Sequence, residues 1–282
     1  MSLYARTLTK FSLHAGQVLV TRPDFEQRAR YINIYNTIDS LHRLNAIPII
    51  NENDTIAVDE LDKFADNDTI AALVTNLLQA DLMVILTVVD GLLDSSGALV
   101  DLVMHVDHQT RGLVRNERSV LGSGGMLSKL NAARMVTEAG ETAVIASGRQ
   151  KDVLLRLLEG ERVGTIFAPA ARRMCGRHRW ILGAARPKGQ ISIDAGAVQA
   201  LRAGGKSLLA SGVRAVSGRF DRGYIMRILD PEGQTVARGV SNYSHAELDR
   251  IKGLKTTHFA QVLGEKPFDE VVHRDNLVLT VD

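Results

Sequence analysis

The feature that most constrains this chain is the alternation of short apolar runs with stretches of helical spacing through its first 160 residues. QVLVT (17–21), AIPII (46–50), LMVILTVV (82–89) and TAVIA (142–146) each have strand length. Between them, Tyr31, Ile34, Tyr35, Ile38 and Leu41 recur at helical spacing, as do Ile70, Leu73, Val74, Leu77 and Leu78. Asp24, with Gln27 three residues on, reads as the N-cap of the first of these helices, and Asp66 or Asn67 as that of the second. Residues 127–139 and 152–158 form two more helices, and Gly140 is a natural C-terminal stop. LMVILTVV is continuous rather than alternating, which predicts a strand buried on both faces. Strand–helix alternation of this kind predicts an α/β fold with an open, mostly parallel sheet sandwiched by helices.

The pattern changes near residue 168. Residues 171–189 hold six Arg or Lys and no acid, and are expected to be a basic linker. Beyond it the elements shorten: ISI, a helix near 195–203, GVRAVSG, then YIMRILD and QTVARGV flanking the turn PEG, which signals a hairpin. A second, small, mainly β domain is expected. Charge divides at the same place. Residues 1–168 carry 16 Lys and Arg against 21 Asp and Glu (16 − 21 = −5), and residues 169–282 carry 18 against 11 (+7). The single cysteine, Cys175, excludes an internal disulfide and fits a reducing compartment. No apolar run is long enough to span a bilayer as a helix, and MSLYARTLTKF has no signal-peptide core, so a cytoplasmic protein without membrane contact is expected.

Three stretches can carry chemistry. NENDTIAVDELDKFADND (51–68) places seven Asp or Glu and three Asn between a strand and a helix. The carboxyl ends of strands in open α/β sheets are where ligands bind. Carboxylates there can cap amides, hold Mg²⁺ or bind a substrate ammonium group. A solvated acidic loop with one cap accounts for one Asp and one Asn, but not for NEND followed by DND. GSGGMLSK (122–129) opens a helix, where amides and Lys129 can face an anion; a plain flexible loop is the alternative. TVVDGL (87–92) ends a strand, and its Asp-Gly pair is also an ordinary turn signal.

Together and in this order, PIINENDTIAVDE, FADNDTIAALV, TVVDGL, GSGGMLSK and VIASGR resemble the glutamate 5-kinase family of the amino-acid kinase superfamily. The part from KGQISIDAGAVQALRAGGKSLL to VSNYSHAELDRI resembles a PUA domain. The resemblance implies an amino-acid kinase domain over 1–170, a linker over 171–188, a PUA-like domain over 189–265 and a tail over 266–282. It implies ATP-dependent phosphorylation of the γ-carboxylate of L-glutamate, with Mg²⁺, as the first step of proline biosynthesis. Proline as feedback inhibitor and a homo-oligomer are further implications. On the same ground Asp54, Asn67 and Asp66 are expected to bind substrate, and Asp68 and Lys129 to be catalytic. Thr87 and Val88, with Ser123, Gly124, Gly125, Met126, Leu127, Ser128 and Lys129, are expected to contact ATP. Mg²⁺ is expected to arrive with ATP, its protein ligands undefined.

The sequence departs from the family in four respects. Val88 stands where the family has Asp, and a valine side chain can neither hydrogen-bond nucleotide nor organise metal. Leu93 replaces a common Tyr, and Ala65 a common Gly. The family's opening strand with its lysine-glycine phosphate loop, and its second glycine loop, are not matched, so an unpaired sheet edge, uncovered apolar surface and impaired activity are expected. The alternative reading is an RNA-binding or regulatory PUA protein carrying a degenerate kinase domain. Another amino-acid kinase, for nucleotide or aspartate, is a third reading that NEND…DND disfavours.

Overall fold

The computed structural model describes residues 1–55, 66–114, 125–265 and 267–280. The chain divides into two compact units, Met1–Gly176 and Arg177–Asp282.

In the first unit the order is α1 (Ser2–Thr9), β1 (His14–Val20), α2 (Arg22–Glu26), α3 (Arg28–Arg43) and β2 (Ala46–Glu52). Then come α4 (Asn67–Leu78), β3 (Leu82–Thr87), β4 (Leu102–Val103), α5 (His108–Gly112), α6 (Met126–Ala139), β5 (Thr142–Ser147), α7 (Val153–Leu158) and β6 (Thr165–Phe167). β1 and β2 pair in parallel, His14 opposite Ala46 through Val20 opposite Glu52. The other four strands form a separate sheet in the order β3-β5-β6-β4, parallel except between β5 and β6. The expected α/β fold is therefore present, but among the described residues its strands form two hydrogen-bonded groups rather than one.

The core explains why these segments pair. One face of β3 and β5 presents Met83, Ile85, Ala143 and Ile145 to Leu130, Ala133 and Val136 of α6 and to Ala72 of α4. Leu130 and Val136 are fully buried, each worth about 2 kcal/mol of apolar transfer. The opposite face presents Val84, Val144 and Ala146 to Val153 and Leu157 of α7. α7 has only six residues, and on the same face of the edge strand β3, Leu82 and Leu86 stay exposed. The expectation of a strand buried on both faces therefore fails for β3. The cause is its place at the sheet edge under a short helix, which an apolar run alone does not reveal.

The expected N-cap at Asp24 is also corrected. Thr21 caps α2, and Asp24 sits three residues inside, its Oδ2 accepting from the Thr21 N–H (2.8 Å) and hydroxyl (2.7 Å). The reciprocal pattern is T-R-P-D, with Pro23 in the first turn where its missing N–H costs nothing.

The second unit opens within α8 (Gly176–Arg179) and continues with a π-turn (Trp180–Ala184), β7 (Gly189–Ile193), α9 (Ala195–Arg202), β8 (Val213–Gly218), β9 (Ile225–Leu229) and β10 (Thr235–Val240). α10 (His245–Ile251), α11 (Phe259–Leu263) and β11 (Leu277–Leu279) complete it. The sheet order is β11-β10-β9-β7-β8, antiparallel except for β7 beside β9. Ile191, Ile228, Tyr243 and Phe259 are fully buried at its centre. Residues 266–282, expected as a tail, supply β11, which pairs with β10.

Nor is 171–188 a free linker. Arg173 pairs with Asp81 (2.6 Å), and its guanidinium holds the Asp81 carboxyl below the usual range. The Met174 N–H donates to Ala139 O (3.0 Å). Trp180, Ile181 and Ala184 are buried within the second unit, where Leu182 O accepts from Arg238 (2.6 Å).

Candidate active site

The site forms where α4 and α6 begin. The two helices pack side by side, so their N-termini, with their partial positive charge, lie at adjacent starts. They are finished differently. α4 is capped by Asp66, whose Oδ1 accepts from the Thr69 N–H at 2.7 Å. α6 begins at Gly125, which has no side chain with which to cap it, and a Cβ built there would meet open space. An acid-capped start repels a further anion, and an uncapped start accepts one. The α6 start is thus open to an anion, and the α4 start carries the acids.

Four side chains join the two starts. Lys129 Nζ donates to Asp68 Oδ2 at 2.8 Å, with both side chains largely buried (13% and 14% exposed). The Ser128 hydroxyl donates to Asp66 Oδ2 and lies 3.2 Å from Asp68 Oδ2. Asp66 and Asp68 stand two apart on α4, and Ser128 and Lys129 are adjacent on α6, so the helix packing sets all four together. A charge pair this sheltered is costly to break from one side, typically by about 3–5 kcal/mol, since the remaining charge is left without its partner.

The structure therefore unites Asp66, Asp68, Ser128 and Lys129. The other expected site residues that are described are not joined to these four by side-chain hydrogen bonds among the described residues. Asp54 is exposed in the turn that follows β2, and Asn67 is exposed at the first position of α4. Neither forms a hydrogen bond to the four-residue cluster among the described residues. Thr87 closes β3, where its carbonyl accepts from the Gly148 N–H at 2.8 Å. Val88 follows, 65% exposed. Gly125, Met126 and Leu127 form the first turn of α6, with Leu127 exposed. Ser123 and Gly124 lie outside the described residues.

Asp90 behaves as the turn reading has it, with a partner that sequence reasoning missed. Gly91 sits at φ +156, and a Cβ there would come within 2.5 Å of the Thr165 hydroxyl, so glycine at this position is demanded by packing. Asp90 Oδ1 accepts from Gln150 Nε2 (3.0 Å), and Gln150 Oε1 accepts from Arg156 (3.2 Å). Gln150 follows β5 just as Asp90 follows β3. The carboxyl-end rule applied to VIASGRQ could have found it.

Mg²⁺ prefers one or two carboxylates together with substrate phosphates to an all-protein cage. Among the described residues no group of three His, Cys, Asp or Glu could hold a metal, but Asp66 and Asp68 supply a pair of hard oxygen donors beside the start of α6. That donor set fits a metal that enters on nucleotide phosphates.

Two family profiles match separate parts of the chain. The profile of the amino acid kinase family matches residues 1–147, and that of the PUA domain residues 189–263. The chain is 43% identical to the glutamate 5-kinase of Moorella thermoacetica, over 99% of this chain and 75% of that protein. It is 44% identical to that of Desulfotalea psychrophila, over 99% and 76%. With the glutamate 5-kinase of Thermosynechococcus vestitus it shares 44% identity over 94% and 74%. No described helix is long and apolar enough to cross a membrane. By sequence across its length, and by an α/β unit followed by a small mainly β unit, the chain belongs to the glutamate 5-kinase family.

Proposed function

We propose that this protein transfers the γ-phosphoryl group of ATP to the γ-carboxylate of L-glutamate, giving L-glutamyl 5-phosphate and ADP, the entry to proline synthesis. The observation that carries the reading is the Lys129–Asp68 pair set between an uncapped and an acid-capped helix start. A carboxylate oxygen attacks the γ-phosphorus, and the bond from that phosphorus to the β,γ-bridging oxygen breaks, leaving its electrons on ADP. The attacking carboxylate is already ionised at neutral pH, so no general base is needed. What the protein must supply is placement and charge neutralisation. The first turn of α6 offers amides to phosphate oxygens, and Lys129 offers a movable ammonium. Asp66 and Asp68 face the side where a substrate ammonium group can be held. Asp66 and Asp68 would hold Mg²⁺ brought in with ATP, and that ion would supply further neutralisation of the phosphates.

Trapping the acyl phosphate with hydroxylamine tests this directly. Glutamyl hydroxamate should accumulate only with ATP, Mg²⁺ and glutamate all present, and a protein that forms none under those conditions overturns the proposal. Inhibition by proline and self-association belong to the same proposal, and are read from that assay with added proline and from sedimentation.

A specific feature of the second unit favours a second, independent reading, binding of single-stranded RNA. A cleft of about 460 Å³ is lined by Lys188, Arg219, Phe220, Tyr224 and His245, with one acid, Asp221, among them. Cations interleaved with aromatic rings are what a flexible nucleic acid strand uses. Anisotropy titration of a labelled oligonucleotide should show affinity that falls with salt and a shallower salt slope in K188A/R219A. No binding at low salt removes this reading.

A further inference from the structure

Ser128 is placed among the ATP contacts by its position in the glycine loop, but its donors are already spent. Its backbone N–H donates to Gly125 O at 3.1 Å, closing the first turn of α6. Its hydroxyl donates to Asp66 Oδ2 and lies 3.2 Å from Asp68 Oδ2. A serine hydroxyl has one hydrogen, so only one of these two carboxylates can receive it at a time. Asp66 receives it, because its Oδ2 is the nearer of the two oxygens, and Asp68 Oδ2 accepts from Lys129 at 2.8 Å. Each carboxylate therefore has a donor: Asp66 has Thr69 N–H and Ser128, and Asp68 has Lys129.

That balance changes when a nucleotide arrives. The ammonium group of Lys129 is the cation at the start of α6, and a bound phosphate would draw it from Asp68. Asp68 is then a largely buried carboxylate that has lost its lysine, a costly state until another donor reaches it. Rotation of the Ser128 hydroxyl about its Cβ–Oγ bond can send its hydrogen to Asp68 instead. Asp66 meanwhile keeps the Thr69 amide.

Resting on the kinase reading, we propose that Ser128 is a positioning residue whose hydroxyl serves the Asp66–Asp68 pair rather than the nucleotide. In this proposal its hydrogen turns from Asp66 to Asp68 as Lys129 moves to the phosphates. No bond other than hydrogen bonds changes, and no proton leaves its oxygen. The glycine loop and the acidic loop are then joined through one hydroxyl.

The test compares Ser128→Ala, Ser128→Thr and Ser128→Val in two assays. The first is calorimetric titration with AMP-PNP and Mg²⁺, the second steady-state hydroxamate formation. For S128A, AMP-PNP affinity should stay within about twofold of wild type while kcat falls about 10- to 100-fold. S128T, which keeps the hydroxyl, should restore most of kcat. S128V, which matches Thr in shape without the hydroxyl, should not. A role in packing alone would make Thr and Val alike, and that result overturns the proposal. So does a tenfold loss of AMP-PNP affinity in S128A with kcat retained, which would make Ser128 a phosphate ligand. If S128A does not fold, the Thr and Val pair carries both assays. A wild type that binds AMP-PNP but forms no hydroxamate refutes the kinase reading alone. The titration then still decides whether Ser128 serves the nucleotide. A wild type that does neither overturns both.

Discussion

Glu247 gives the most quantitative test of how the second unit is held. Its Oε2 accepts from the N–H (2.8 Å) and hydroxyl (2.9 Å) of Ser244 at the start of α10, and from Arg222 Nε (3.0 Å). Its Oε1 accepts from the same guanidinium, which also reaches Glu265 at 3.1 Å. Arg222 first, and the Ser244 contacts after it, hold the Glu247 carboxyl down at about 2, against an ordinary value of 4.5. That difference corresponds to at most about 3 kcal/mol. Arg222 is 41% exposed, and solvent screening of such a pair reduces the figure to about 1–2 kcal/mol. The sign follows from the lowered value. The stabilisation is complete above about pH 4.5, where the unfolded chain is also ionised, and is lost as pH falls toward 2, about half of it by roughly pH 3. Glu247→Gln keeps an oxygen for Ser244 but removes the charge that Arg222 sees. At pH 7 it should lower unfolding free energy by about 1–2 kcal/mol, and for a unit of this size the midpoint by roughly 4–15 °C. At pH 3 the difference from wild type should shrink by about half. The chain's only tryptophan, Trp180, is buried in this unit, so its fluorescence during urea unfolding reports the effect. A loss below about 0.3 kcal/mol at pH 7, or one of equal size at both pH values, refutes the argument.

Three other outcomes follow from the first unit. Lys129→Met should lower kcat about 100- to 1,000-fold, the usual cost of removing a charged stabiliser of the transition state, read by hydroxamate formation. Asp66→Ala should cost about 1–2 kcal/mol through the lost cap of α4, and Asp66→Asn should recover much of that, since asparagine also caps; calorimetry of the first unit's transition measures both. Gly164→Ala should cost about 2–3 kcal/mol, because the residue sits at φ +92 and a new Cβ would lie 2.4 Å from Ile145 O; a neutral effect on the same transition would contradict the close approach.

Much of this was readable from residue order because period and punctuation agree locally. The helix of NDTIAALVTNLL is written by its apolar spacing and by Asp66 before it, and Gly140 ends α6 at φ +99 as a left-handed stop should. What was not readable depends on neighbours distant in sequence. RRMCGRHRWIL has the charge of a linker, yet Arg173 meets Asp81, 92 residues away, and Trp180 meets a core built from later strands. The three residues of β11 are too few to show a period, and only pairing with β10 makes them a strand. The candidate site divides in the same way. Asp68 and Lys129 are each suspicious in their own motifs, but the bond between them spans 61 positions. That the Ser128 hydroxyl faces carboxylates rather than open space is a matter of helix packing, which no motif encodes.

The Asp68–Lys129 contact also has a consequence for linkage. Asp68 sits at the end expected to hold the amino acid, and Lys129 at the end expected to hold the nucleotide. A nucleotide that draws Lys129 away alters Asp68 for whatever binds beside it. Free energy then requires the converse by the same factor, so the amino acid must change nucleotide affinity as much as nucleotide changes its own. Two substrates that never touch through this pair still share one equilibrium, and neither dissociation constant is a property of its own subsite alone.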